Sequence, residues 1–169
     1  MRSRHPQALL ASRALLVKIK RDLENQIRDL LKNLGLVIGR AKFNVFAVRA
    51  NELIEDRPEL IAAVGPLLKA RETIERQIAD FDRKVMKLAR GNQQVRRLMT
   101  VPGVGPITAL CFCATIDDTA RFKRSRSVGA FVGLTTRRHA SGEIDWTGRI
   151  SKCGDPMLRV ICSRRPVSC

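Results

Sequence analysis

Residues 98–110, with the sequence LMTVPGVGPITAL, constrain the fold of this chain more than any other segment. They place Pro-Gly-Val-Gly-Pro between two apolar stretches, and the two glycines permit backbone dihedrals that a Cβ obstructs. Pro106 suits the first position of a helix, where the N–H that it lacks would have no partner. The pattern predicts two helices joined by a tight turn, the arrangement called a helix-hairpin-helix.

This turn also predicts a binding site. The first amides of a helix have no intrahelical partner, so they point outward and bind anions such as phosphate. We therefore predict that Gly103, Val104 and Gly105 contact a nucleic-acid backbone, and that a valine at either glycine obstructs the turn. The alternative is an ordinary helix corner inside a core, because glycine-rich turns before helices are common.

The charge of the chain favours nucleic acid. It has 32 Lys+Arg against 16 Asp+Glu, a net charge of +16, which is typical of nucleic-acid-binding proteins. The excess lies in residues 1–49 and 119–169, whereas residues 50–100 are nearly balanced. No apolar run approaches the ~18 residues of a membrane-spanning helix. With six Phe, one Trp and no Tyr, we do not expect a base-stacking platform for single strands.

The cysteines and histidines do not predict a metal site. None of the five cysteines forms a C-x-x-C pair, and His5 lies far from His139 in sequence. The thiols are expected to be reduced, as in a cytoplasm.

Residues 1–92 are predicted to form a helical arm. Residues 8–34 repeat apolar side chains at spacings of three and four, and Gly35 is a plausible stop. A second helix is expected after Gly65 and Pro66, with a seam interrupted only by Arg71. The seam residues are Leu67, Ile74, Ile78, Phe81, Val85 and Leu88. An antiparallel hairpin within one chain and a coiled coil between chains are equally compatible with this pattern.

The fold class is therefore mainly α. The arm is followed by a small helix-hairpin-helix domain over residues 93–158, which includes a helix at 125–131 and a short basic β-hairpin or loop. The hairpin strands are expected at 135–138 and 146–150, with a turn at 140–143. Residues 159–169 have no clear periodicity and are predicted to be an irregular tail. The basic residues expected to contact nucleic acid are Lys123, Arg124, Arg126, Arg137, Arg138, Arg149 and Lys152.

Four segments in this order resemble one family: LMTVPGVGPITAL, RFKRSRSVGAFVGLT, the Ser-Gly turn, and GRISKCGDPMLR. The chain resembles the C-terminal half of DEDD-type insertion-sequence transposases, the bridge-RNA-guided recombinases. Residues 8–34 are similar to the helical arm that joins that family's two catalytic domains. The resemblance implies DNA transposition and recombination, a bacterial cytoplasmic protein associated with the nucleoid, and DNA as the partner. It further implies a structured guide RNA and association with itself or with a full-length transposase.

The resemblance also implies a two-part active site. An acidic N-terminal domain holds divalent metal such as Mg²⁺, and the C-terminal domain supplies a serine that becomes attached to DNA. Ser141 matches that serine, with Ser151 as the alternative. A serine hydroxyl needs activation, and cationic neighbours such as Arg137, Arg138 and Arg149 would stabilise charge on phosphate. Without the family, Ser141 is interpreted as an ordinary turn residue.

Two departures from the family shape the expected function. No acidic metal-binding domain is present in these residues, and the last residues, VICSRRPVSC, resemble a prematurely ended tail. We therefore expect a truncated, DNA-binding transposase fragment that needs the metal-binding domain for catalysis and has no cofactor of its own. The alternatives are a non-catalytic helix-hairpin-helix module, acting as a dominant-negative partner of a full-length transposase, and a structural coiled-coil protein that binds RNA nonspecifically.

Overall fold

The computed structural model describes residues 4–39, 45–141 and 144–163. Within them the protein is mainly helical, with one two-stranded sheet, so the predicted fold class is confirmed. A single 3₁₀ turn, Thr119–Arg121, also occurs there. The helices are α1 Arg4–Asn33, α2 Phe46–Ile54, α3 Pro58–Gly91, α4 Gln93–Leu98, α5 Pro106–Thr115, α6 Ser125–Val132 and α7 Pro156–Ser163, and the strands are β1 Thr136–Ser141 and β2 Ile144–Ile150.

The chain divides into two compact units, and the division falls within α1 and α3. The arm unit is Ala11–Arg83, and the terminal unit is Met1–Leu10 together with Lys84–Cys169. The sequence-based division after residue 92 coincides with the end of α3, and it stays a prediction. None of the helices described is long and apolar enough to cross a membrane.

In the arm unit, α1 and α3 pack antiparallel within one chain. Arg13 bonds Asp82 at 2.5 Å, Lys20 bonds Glu75 at 2.5 Å, and Glu24 bonds Arg71 at 2.7 Å. Residue numbers rise along α1 as they fall along α3, which defines the register. The intrachain alternative therefore holds for this pair of helices.

The core of the arm unit lies where α2 joins this pair. Fully buried side chains are contributed by α1, α2 and α3 because each helix directs one apolar face inward. The buried residues are Ile27, Leu31, Ile38, Phe46, Ala50, Ile54, Val64 and Leu68. Gly35 follows α1 with φ of +76°, a left-handed conformation that favours glycine, so the predicted stop of the first helix is confirmed.

The expected start of the second helix was wrong. The helix α3 begins at Pro58 and passes through Pro66, which lies inside it. Proline there removes one backbone hydrogen bond. The buried side chains of Val64 and Leu68 on either side hold the helix against the core. Of the predicted seam, Val85 is buried and the other residues are half-buried, and Arg71 is itself an interior residue.

The terminal unit is built around α5. This helix contacts α4 and α7, and α6 also contacts α7. Asn92 caps α4, because its Oδ1 accepts from the N–H groups of Gln94 and Val95. The buried core consists of Leu10, Val85, Ala89, Val95, Ala109, Leu110, Cys111, Val132 and Leu158.

The strands β1 and β2 form the predicted antiparallel hairpin. Ser141 pairs with Ile144 and His139 with Trp146. The register shifts between Thr136 and Arg138, leaving an extra residue on β2, which is a β-bulge. Residues 142 and 143 of the predicted turn lie outside the described residues.

Residues 159–169 were predicted to be an irregular tail, but residues 159–163 are helical because α7 extends to Ser163. Asp155 starts it, since its Oδ1 accepts from the N–H groups of Met157 and Leu158 at 2.7 and 3.0 Å. Pro156 follows in the first turn, where proline is well tolerated. Residues 164–169 lie outside the described residues.

Candidate nucleic-acid interface and serine site

The turn between α4 and α5 has the geometry that the glycine pattern predicts. Gly103 has φ of +83°, in the left-handed region that favours glycine. The N–H of Val104 donates to the Val101 carbonyl at 3.0 Å and closes the turn. Pro106 occupies the start of α5, and the first helical bond runs from Ala109 to Gly105 at 2.9 Å. The amides of Ile107 and Thr108 therefore lie at the open end of the helix.

Gly105 differs from Gly103 in its backbone conformation. Its φ of −84° and ψ of 173° are accessible to any residue, and a Cβ built there meets nothing within 4 Å. A side chain at Gly105 would therefore not obstruct the turn, contrary to the sequence-based expectation, whereas one at Gly103 would be strained. The missing side chain at Gly105 instead leaves the N-terminus of α5 open to a partner.

Exposed basic residues are distributed over the terminal unit. Lys123 and Arg124 precede α6, and Arg126 lies in its first turn. Arg149 lies in β2 and is also exposed. Together with the turn they give this unit a positive surface, because its carboxylates are few. These residues are not shown to form one continuous binding surface, and their role in nucleic-acid binding stays a prediction.

Ser141 lies exposed at the end of β1, where its backbone pairs with Ile144. Successive residues of a strand point to opposite faces of a sheet, so alternate residues share a face. Arg137 therefore shares the face of Ser141 but lies four residues away, roughly 13 Å along the strand. Arg138 lies on the opposite face, where its Nε donates to Asp145 Oδ1 at 2.9 Å and its Nη2 to Oδ2. The structure does not bring either guanidinium to Ser141.

Arg138 and Asp145 form a bidentate ion pair on the surface. The hydrogen bond from Arg138 lowers the pKa of the Asp145 carboxyl, and the same contact raises the pKa of Arg138. Asp145 consequently stays ionised and engaged, and it is poorly placed to act as a base for Ser141.

The segment after β2 is held by backbone contacts. Arg137 Nη2 donates to the Ser151 carbonyl at 3.2 Å, and Arg159 Nη1 donates to the Lys152 carbonyl at 2.6 Å. Ser151 N–H donates to Thr135 O at 2.8 Å. Lys152 has φ of +56°, unusual for a residue with a side chain. Ser151, the alternative nucleophile, is thus half-buried in a fixed segment.

Two glycines allow the segment after β2 to pack closely against the end of α6. A Cβ on Gly133 would lie 1.9 Å from the Cys153 carbonyl oxygen, and one on Gly154 would lie 2.1 Å from the Phe131 carbonyl oxygen. Both glycines have positive φ, +78° and +105°. The sequence did not single out Gly154, because its role depends on the Phe131 carbonyl, which lies far from it in sequence. It did not single out Arg159 either.

The described residues do not fit a divalent metal. They contain no cluster of three or more His, Cys, Asp or Glu side chains with the spacing for a metal ion. Asp118, which precedes the 3₁₀ turn, accepts from Ala120 N–H at 2.8 Å and acts as a cap. Burial raises the pKa of the Cys113 thiol, which keeps it protonated and unreactive.

Most of the terminal unit is similar to a known protein family. Residues 89–163 match the sequence model of the Transposase IS116/IS110/IS902 family. These residues are therefore similar to the transposase domain that this family model describes. The matched region starts near the end of α3 and contains the glycine turn, the hairpin with Ser141 and the segment held by Arg137 and Arg159.

Curated relatives extend the similarity to the arm. The chain is 34% identical over 159 residues to the transposase for insertion sequence element IS1111A of Coxiella burnetii, covering 92% of this chain and 44% of that protein. It is 32% identical over 160 residues to a probable family 20 transposase of Pseudomonas aeruginosa, covering 92% of this chain and 47% of that protein. The chain is also 33% identical over 157 residues to a putative transposase of Sinorhizobium fredii, y4pF/y4sB, covering 90% of this chain and 40% of that protein. The chain spans less than half the length of these relatives.

Proposed function

We propose that this chain is a DNA-binding part of an insertion-sequence transposase and that Ser141 is its nucleophile. The observation that carries the proposal is the position of the family match. Residues 89–163 cover both the phosphate-binding type of turn and the serine-bearing hairpin of one compact unit. DNA is then held through its backbone at the N-terminus of α5, and the positive surface of the unit supplies the attraction.

The role of Ser141 is a transesterification. Its Oγ forms a bond to a backbone phosphorus, the bond from that phosphorus to one deoxyribose oxygen breaks, and the departing oxygen takes up a proton. A base must accept the serine proton. An exposed serine at a strand end can reach a phosphate without displacing core residues, whereas Ser151 is half-buried.

The divalent metal that the family resemblance implies is assigned to carboxylates outside the described residues, since those residues do not fit it. In the chain itself we expect binding and presentation of Ser141, and we expect strand transfer only when an acidic partner domain is supplied. A guide RNA and association with a second transposase chain remain part of the proposal on the strength of the family resemblance alone.

A non-catalytic binding module is the second candidate, and one observation favours it. Arg138 is engaged with Asp145 on the far face of the hairpin, and Arg137 holds the Ser151 carbonyl. Neither guanidinium is positioned to stabilise charge on a phosphate at Ser141. A chain of this kind would occupy DNA and act as a dominant-negative partner of a full-length transposase.

DNA binding is tested by its salt dependence. If about six phosphates are contacted, the logarithm of the association constant should fall against the logarithm of salt concentration with a slope near −5 on duplex DNA. Fluorescence anisotropy of a labelled duplex between 50 and 300 mM salt, about the range where counterion release dominates, measures that slope. A flat response, or no binding at the lowest salt, would overturn the proposal.

A further inference from the structure

Trp146 is the most exposed aromatic side chain that the structure describes on the hairpin. It is 54% exposed and lies on β2 opposite His139. Side chains of directly paired residues in an antiparallel sheet share a face, and alternate residues along a strand share it too. Trp146 therefore lies on the same face as Ser141.

The separation between these two residues suits adjacent contacts on one DNA strand. The partner of Trp146 is two residues from Ser141 along β1. That spacing is roughly 7 Å, which corresponds to about two base steps of duplex DNA. A strand whose phosphate lies at Ser141 would present a nearby base to the indole.

Gly148 holds the indole in place. A Cβ built on Gly148 would lie 3.0 Å from Cζ3 and 3.6 Å from Cη2 of Trp146, so the ring lies over the glycine backbone. The ring is thus supported on one side by the strand, while more than half of the side chain faces solvent. A ring held in this way loses little conformational entropy when it binds, which favours stacking.

We propose that Trp146 stacks on an unpaired base of the DNA strand whose phosphate lies at Ser141. The inference rests on the proposed function. Base stacking on an aromatic side chain needs an exposed base face, so the interior bases of an intact duplex are excluded and bases at an opened or displaced segment are favoured. The low aromatic content of the chain does not predict this residue, because one ring held beside the serine suffices for a local contact.

The composition of the chain provides a direct readout. Trp146 is the single tryptophan and the chain has no tyrosine, so emission excited near the red edge of the indole band reports on Trp146 alone. The intact chain is titrated with four probes: a duplex with a three-base bulge, the fully paired duplex, a single-stranded RNA, and heparin, which is a polyanion without bases. Binding is followed independently by anisotropy for the labelled DNAs and by displacement for heparin.

Stacking predicts strong quenching at saturation with the bulged duplex, less with the paired duplex and none with heparin. Trp146→Ala should weaken binding to the bulged duplex roughly tenfold, while Trp146→Phe should keep most of the affinity. Thr147→Ala, on the opposite face of β2, is the matched control and should bind as well as the parent chain.

The outcomes separate this inference from the proposed function. Saturated binding of the bulged duplex without quenching, or equal affinity of Trp146→Ala and the parent, would overturn the role of Trp146 and leave DNA binding intact. Failure of any DNA to bind would overturn the proposed function itself. Stronger quenching by a single-stranded RNA than by the bulged DNA, at equal saturation, would also overturn the assignment to DNA.

Discussion

Arg71 Nε donates to Glu24 Oε1 across 2.7 Å inside the arm unit, and the Arg71 side chain is only 3% exposed. Arg71 Nη1 also donates to Glu75 Oε2 at 3.0 Å, and its guanidinium carbon lies 5.2 Å from the centre of the Phe46 ring. The charge that interrupts the apolar seam in the sequence is therefore paired with two carboxylates and an aromatic ring. A buried cation tolerates its loss of hydration only with such partners.

Arg71→Ala should destabilise the arm unit by about 3 kcal/mol, because it leaves the carboxylate of Glu24, whose side chain is only 12% exposed, without its partner. Urea denaturation followed by circular dichroism measures the change. Arg83→Ala is the control, since Arg83 is 80% exposed and pairs with Asp80 on the surface of the same helix. That variant should change the free energy of unfolding by less than about 0.5 kcal/mol. Equal effects of the two variants would contradict the structural role of Arg71.

Stability should depend on pH through Glu75. Burial alone would raise the pKa of its carboxyl, but the hydrogen bond from Lys20 and the charge of Arg71 together lower that pKa below its usual range. A lowered pKa in the folded state means stabilisation that is complete above about pH 4.5 and is lost as pH falls through the folded-state pKa. The difference in unfolding free energy between the parent and Glu75→Gln should therefore shrink on acidification. Glu72→Gln, exposed on the same helix, is the control. A difference that stays constant from pH 7 to about pH 3 would refute the linkage.

Gly133→Ala should disrupt the end of α6 and the segment after β2. Its Cβ would lie 1.9 Å from the Cys153 carbonyl oxygen, and φ of +78° adds strain. We expect a loss of at least about 2 kcal/mol in thermal or urea denaturation. Gly129→Ala in the same helix meets nothing within 4 Å. It should be neutral or stabilising by up to about 1 kcal/mol. A stable Gly133→Ala variant would show that the close approach is not required.

Gly105→Ala should separate folding from binding. Its backbone conformation suits alanine and its Cβ would lie in open space, so stability should change by less than about 0.5 kcal/mol. DNA affinity should fall several-fold, because the methyl group occupies the approach to the amides of α5. Gly91→Ala, also with an unobstructed Cβ, should change neither quantity. Unchanged affinity in Gly105→Ala would mean that the turn serves only as a corner of the core.

Local patterns were enough to predict most elements of the fold. The glycine turn, the helix that follows it and the two strands were expected close to where they lie, because each depends on residues within a few positions. The helix α2 was not expected, since nine residues of mixed character carry little periodicity. Pro66 was wrongly predicted to mark the start of a helix. The packing of its neighbours Val64 and Leu68 outweighs the tendency of proline to interrupt a helix.

The candidate site was less predictable from the sequence. Ser141 and the basic residues could be named, but their distribution over the two faces depends on the register of the hairpin. Arg138 was expected beside Ser141, and its actual partner, Asp145, is set by cross-strand pairing. The contact of Gly154 with the Phe131 carbonyl joins segments more than twenty residues apart, which no local pattern reports.

The most direct test of the central claim is a covalent adduct assay in trans. The chain is mixed with end-labelled element DNA and a longer relative, such as the Coxiella burnetii transposase, in which the position aligned with Ser141 is set to alanine. The account predicts a labelled protein–DNA adduct at the mass of the 169-residue chain, absent with Ser141→Ala while that variant still binds DNA within a few-fold of the parent. An adduct that persists in Ser141→Ala, or metal-dependent strand cleavage by the isolated chain, would contradict it.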